Sequence, residues 1–232
     1  MKKIIYILVC TLIVLSIQNN LYAQSEETRS VSGFKAISSA GPFNIHIKVN
    51  GTESLKINAD KAILGEIETF VEDNNLKIRF KKRHNYHYDG RIEVYITAKS
   101  IAELSNAGSG TLNVEEGGLD ANKTSISIAG SGDVITSIKA DQLNVSIAGS
   151  GSAHVKGSSN KISVSIAGSG QMLGKELNTQ TSNISIAGSG NVYLIASNKI
   201  DANIIGSGSV YYTGNASVSS NSIGSGKVRK SN

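Results

Sequence analysis

The chain has 232 residues, with 23 basic and 18 acidic side chains, 24 glycines, one cysteine, one proline and no tryptophan. A formal charge of +5 over this length is too slight to point to nucleic acid. One thiol cannot make an internal disulfide framework or a cysteine-ligated metal centre.

The first 23 residues have the three parts of a secretory signal peptide. Lys2 and Lys3 open it, Ile4 to Ile17 is almost unbroken apolar sequence, and Leu21-Tyr22-Ala23 supplies the small-residue exit. The apolar run is shorter than the roughly 20 residues a membrane span needs. Cleavage after Ala23 removes Cys10 with the peptide; Val9 before that cysteine does not suit lipid attachment. The mature chain is then thiol-free and, with Lys2 and Lys3 gone, carries 21 basic against 18 acidic groups, a charge of +3. No second long apolar stretch occurs after it, so no integral span is expected in the mature chain. The expected location is periplasmic, on the outer-membrane surface or extracellular.

Residues 24–100 contain short β-type runs at Phe43 to Val49, Ser54 to Ile57, Ile67 to Val71, Leu76 to Phe80 and Arg91 to Ala98. Asp73-Asn74-Asn75 predicts a hairpin turn, and Asp60 to Leu64 a single helical turn. This segment is expected to be an irregular N-terminal cap with the first coils of a longer repeat region, one folded unit with it. Within it, Lys81, Lys82, Arg83, Tyr86 and Tyr88 form the densest basic and aromatic stretch of the mature chain. That stretch suits an anionic polymer or lipid headgroups. His84, His87 and Asp89 lie there too, but the three cations beside them oppose a metal ion, so no metal and no cofactor is expected.

Residues 101–232 are periodic. Gly-Ser-Gly starts at Gly108, Gly130, Gly149, Gly168, Gly188, Gly206 and Gly224, at intervals of 22, 19, 19, 20, 18 and 18 residues. Ser-Ile-Ala-Gly-Ser-Gly begins at Ser127, Ser146, Ser165 and Ser185. Apolar residues alternate before each corner (Ile126 and Ile128, Val145 and Ile147, Val164 and Ile166, Ile184 and Ile186) and again after it. Period two means strands with one buried face. A unit is too short for a crossover helix but suits one coil of a solenoid whose coils merge their apolar faces. The predicted fold is all-β: a single-stranded right-handed parallel β-helix of about 18–22 residues per coil, each unit reading strand, corner, strand, variable loop. Gly130, Gly132, Gly149, Gly151, Gly168, Gly170, Gly188 and Gly190 are the predicted structural corners. The serines between them are expected to form a hydroxyl ladder. The charged segment Lys227 to Lys230 would guard the last rung.

Carboxylates are sparse in the repeats. Asp120, Asp133 and Asp141 are the ones a glycan-cleaving enzyme would have to use. Asp133 stands alone at its phase, Asp120 and Asp141 could stack on adjacent rungs, no arginine lies near them, and a short Asp more often caps a turn. No catalytic residue is therefore assigned. If Val134, Met172, Val192 and Val210 point inward, then Ile135, Leu173, Tyr193 and Tyr211 point outward in a partly apolar lateral stripe. These four residues and the Lys81–Asp89 loop are the candidate ligand contacts, for a glycan, a matrix component or a partner protein.

The Ser-Ile-Ala-Gly-Ser-Gly series, the opening Phe34-Lys35-Ala36-Ile37, the strand Phe43 to Val49 and Leu76-Lys77-Ile78 together resemble the head GIN domain family, exported bacterial proteins described as putative auto-transporter adhesins. The likeness runs over roughly residues 31–226. It implies a β-helix of the bacterial envelope with an adhesin-like role. It supplies no catalytic residues.

Overall fold

A computed structural model describes residues 24–81 and 90–231. The signal-peptide segment, and Lys82, Arg83, His84, Tyr86, His87, Tyr88 and Asp89 of the basic loop, lie outside the described residues. The N-terminal elements are β1 (Gln24–Arg29), β2 (Ala36–Ala40), β3 (Phe43–Val49), β4 (Ser54–Asp60), α1 (Lys61–Leu64), β5 (Ile67–Glu72), β6 (Asn75–Phe80) and β7 (Ile92–Ala98). Asp73 and Asn74, at φ 51° and 59°, make the tight turn between β5 and β6, a conformation their short polar side chains tolerate. The repeat region continues as β8 (Glu103–Gly108), β9 (Thr111–Glu116), β10 (Leu119–Asp120), β11 (Lys123–Gly130), β12 (Asp133–Gly149), β13 (Ser152–Gly168), β14 (Gln171–Gly188), β15 (Asn191–Gly206), β16 (Ser209–Thr213), β17 (Ser217–Gly224) and β18 (Lys227–Lys230).

From β8 to β18 the strands pair in parallel with the coil before and the coil after, forming a parallel β-solenoid. The repeat fixes the register: Ile128, Ile147, Ile166, Ile186 and Ile204 stack in one buried column, and Val134, Ala153, Met172, Val192 and Val210 in another. Each column removes apolar surface from water at about 25 cal/mol per Å². From β12 to β15 the variable segment is not a loop, whereas in the next coil residues 214–216 separate β16 from β17. Lys139, Ala140 and Gln142 stay paired with Ser158, Ser159 and Lys161, so in β12, β13, β14 and β15 one strand runs from corner to corner. The 20-residue interval that contains β14 is fitted to the 18-residue coil after it by register shifts between Leu173 and Asn178 and between Thr179 and Thr181.

The corners are held by backbone. The Gly130 carbonyl accepts hydrogen bonds from the N–H groups of both Ser150 and Gly151 (2.9 and 3.0 Å), and Gly149 does the same for Ser169 and Gly170. Gly149 needs φ +124°, and a Cβ there would lie 2.4 Å from the Gly130 oxygen. Gly151 has an ordinary φ, but its Cβ would sit 2.2 Å from the Gly132 oxygen. The corner serines are exposed, and no hydroxyl–hydroxyl ladder joins them among the described residues. The motif works through close backbone approach instead.

The N-terminal coils do not stack in chain order. β2 pairs in parallel with β6 on one edge and β8 on the other, while β3 lies between β7 and β9. The rung formed by residues 36–49 is therefore enclosed by chain that comes later. Beyond it, β4 pairs antiparallel with β7, β1 antiparallel with β4, and β5 antiparallel with β6. At the other end the isoleucine column finishes on Ser222, the next inward position is Ser220, and Lys230 succeeds Tyr212. On the face its predecessors bury, the last described coil mixes Val218 and Val228 with Ser220, Ser222 and Lys230.

Candidate binding face

Strand register carries the outward residue three places past each corner into a single column along the solenoid. It runs Asn113, Ile135, His154, Leu173, Tyr193, Tyr211, Arg229. The predicted stripe thus lies together in space. It also continues into the cap, where sequence reading did not trace it: Asn113 pairs with His46, His46 with Tyr95, and Tyr95 with Lys56. In β3 the side chains of Phe43, Ile45 and Ile47 are buried and His46 alternates with them. Only the pairing of residues 36–49 with residues 103–116 shows that it joins the same column.

The column has an aromatic cluster at each end. Tyr193 and Tyr211 stack at 4.9 Å with an interplanar angle of 10°, and the Lys175 ammonium lies 5.5 Å from the Tyr193 ring centre. His46 stacks on Tyr95 at 5.0 Å, with the Lys56 ammonium 5.4 Å from that ring on its other side. Such cation–ring contacts are worth about 0.5–1 kcal/mol when exposed. Between the clusters lies a hollow of about 510 Å³ whose floor includes Ile135 and Leu173, with Lys156, Lys175 and Glu176 at its rim. Ile135 is 39% exposed. The hollow shares Lys175 with a smaller one, about 240 Å³, beside Tyr193 and Tyr211. The β14 bulge at this level re-aims Lys175 and Glu176.

His46 is clamped by two carboxylates, with Nε2 2.8 Å from Glu93 and Nδ1 2.7 Å from Glu115. A neutral imidazole has one N–H, so only the imidazolium donates to both. Partial burial disfavours the charge, but the Glu93 and Glu115 hydrogen bonds and their negative charge outweigh it and raise the pKa above the ordinary imidazole value. The raised folded pKa makes this clamp fully stabilising below the ordinary imidazole pKa of about 6.5, provided the glutamates remain ionised. It is lost as pH rises through the folded value. His46→Gln is expected to cost about 1 kcal/mol near pH 5.5 and progressively less above neutrality, as read from urea titrations across pH.

Asp133 serves the backbone. Asp133 Oδ1 accepts from the Ser152 N–H at 3.1 Å, and Asn191 Oδ1 accepts from the Ser209 N–H at 3.1 Å in the equivalent position. An amide does the same job, so Asp133→Asn is expected to change stability by less than about 0.5 kcal/mol, by thermal melt. Asp120 pairs in register with Lys139 rather than with Asp141, and Asp141 accepts from the Asn160 amide at 2.9 Å. Asp120 and Asp141 therefore do not form the stacked pair that their spacing allowed. No group of three or more His, Asp or Glu side chains suited to a metal ion occurs among the described residues, and no described helix is long and apolar enough to cross a membrane. Lys81 donates to the Gly65 carbonyl at the foot of its loop.

The profile of the family described as "Putative auto-transporter adhesin, head GIN domain" matches residues 33–216. No curated protein matches the chain. Among solved structures, a "putative adhesin" from Bacteroides fragilis is 23% identical, with 89% of this chain and 96% of that one covered and a TM-score of 0.82. A "putative adhesin" from Parabacteroides merdae is 20% identical (90% and 96% covered, TM-score 0.72). A "putative lipid binding protein" from Parabacteroides distasonis is 24% identical (90% and 97%, TM-score 0.71). These likenesses establish a shared fold.

Proposed function

The chain belongs to the head GIN domain family, and on that footing we propose that it is a non-enzymatic binding protein of the bacterial envelope, adhesin-like in role, whose lateral column is its contact face. On this reading residues 1–23 direct export, residues 24–100 cap the solenoid, and residues 101–232 present the face as part of the same folded unit. The observation that carries it is a contrast between columns. The outward column before the corners stays polar, Ser127, Ser146, Ser165 and Ser185 followed by Asn203 and Asn221, which folding alone explains. The column after the corners breaks the repeat with Ile135, Leu173, Tyr193 and Tyr211, large side chains that water disfavours and that mark contact sites. The ligand classes are glycans, matrix components and partner proteins, with the basic stretch Lys81, Lys82, Arg83, Tyr86 and Tyr88 as a second contact.

The test is an array of glycans and matrix proteins probed with residues 24–232. Tyr193→Ala/Tyr211→Ala and Lys81→Ala/Lys82→Ala doubles run beside it. A ligand whose binding falls at least tenfold in the tyrosine double supports the reading. Binding that survives that double at full strength, or retention of no ligand at all, overturns the lateral column as the contact face.

A further inference from the structure

Resting on the lateral column as the contact face, we infer that its C-terminal half, from Ile135 to Arg229, takes an extended polypeptide carrying apolar side chains flanked by carboxylates, rather than a sugar polymer. Three observations converge on that occupant.

The first is the fate of the ring faces. A sugar ring binds an aromatic side chain by lying against its open face. Tyr193 has Tyr211 stacked on one side, from the next coil, and Lys175 on the other, from the preceding one. What Tyr193 offers a ligand is ring edge and hydroxyl. Amphipathic edges of this kind, with Leu, Ile and Arg beside them, have the composition of protein–protein contact centres.

The second is aperiodicity. A homopolymer running along the axis meets the column with equivalent units and is best matched by a repeated side chain. This column changes chemistry at every rung from Asn113 to Tyr193. A polypeptide is the linear ligand whose units vary in the same way. From Ile135 to Tyr211 is four rungs, roughly 19 Å at rung spacing, which about six residues of extended chain span.

The third is charge. The hollow is apolar at its floor and bordered by Lys156 and Lys175, with Arg229 continuing the column beyond Tyr211. Lys156 and Arg229 make no ion pair among the described residues. Two acids line the same hollow, Glu176 beside the lysines and Glu115 toward the cap, the latter already engaged by His46. Carboxylates flanking an apolar side chain would meet these cations while that side chain covers Ile135 and Leu173, and rim charges of this kind speed encounter and impose salt dependence.

The experiment measures anisotropy of fluorescein-labelled octapeptides alternating leucine or tyrosine with glutamate, and of counterparts with glutamine or lysine at each glutamate. Chito-oligosaccharides, heparin oligosaccharides and phosphatidylglycerol vesicles form parallel arms, and light scattering reports self-association. The expected result is that the glutamate peptide binds at least tenfold tighter than the lysine peptide. That binding falls at least tenfold in Leu173→Asp, and the preference between the two peptides reverses in the exposed Lys156→Glu/Lys175→Glu double, which does not touch the core. Equal binding of all peptides, or peptide binding indifferent to both variants, overturns the inference. A glycan, vesicle or second copy that binds through the column while the peptides do not overturns it but leaves the contact face standing. Absence of any column-dependent binding removes both.

Discussion

Replacing Gly168 with alanine is expected to lower the unfolding free energy by about 3 kcal/mol. The position combines two demands. Its φ is +121°, which L side chains rarely adopt, and its Cβ would lie 2.5 Å from the Gly149 carbonyl oxygen. That oxygen cannot retreat, because it accepts from both Ser169 and Gly170. Relief requires the rungs to separate and loosens parallel pairing on both sides. Gly51 supplies the control. Its φ is +87°, but nothing lies within 4 Å of its Cβ position, so Gly51→Ala should cost only the conformational part, about 1 kcal/mol. Urea titration of the two variants separates the terms. Equal losses would show that φ alone explains the corner glycines and that contact between rungs contributes nothing.

The Ile166→Ser variant should lose about 4 kcal/mol, from lost burial, a residual cavity and a hydroxyl without a partner. Ile166 is 1% exposed and sits mid-column between Ile147 and Ile186. In a solenoid each coil touches only its neighbours, so the damage should spread from that coil rather than uniformly. Hydrogen exchange should show protection lost first in β13 and β14 and retained in the strands β2, β3, β6 and β7 of the cap. Uniform loss across the molecule would show that cap and repeats unfold as one cooperative unit.

The repeat made the solenoid legible because one physical requirement recurs at each corner: two backbones approach within contact distance and only glycine fits. Once that registers Gly130 on Gly149 and Gly149 on Gly168, every alternating residue between has a known face, which is why Ile135, Leu173, Tyr193 and Tyr211 could be aligned from sequence. Three things were not legible. The corner serines looked like a ladder because they recur, but their recurrence stems from exposure beside two obligatory glycines. The segment at Lys139 to Gln142 has the varied composition of a loop, yet its backbone pairs with β13, and backbone pairing makes little demand on composition. The cap lacks a repeat, so nothing local to Ala36–Ala40 says that its partners are residues 75–79 and 103–107. For the same reason His46 and Tyr95 could not be joined to the stripe.

The enclosure of residues 36–49 between later rungs sets an order of events during synthesis. A ribosome delivers the chain N-terminus first. β2 and β3 therefore appear with both edges bare, and they stay so until residues 75–98 and then 103–116 have emerged. By then half of the chain has been made, and two apolar strands with free edges are open to pairing with other nascent chains. From residue 123 on the situation reverses, since each new coil finds a finished rung waiting about 20 residues behind it. The hazardous interval in making this protein is its first half, and the glycine-rich second half assembles by addition to a template already in place.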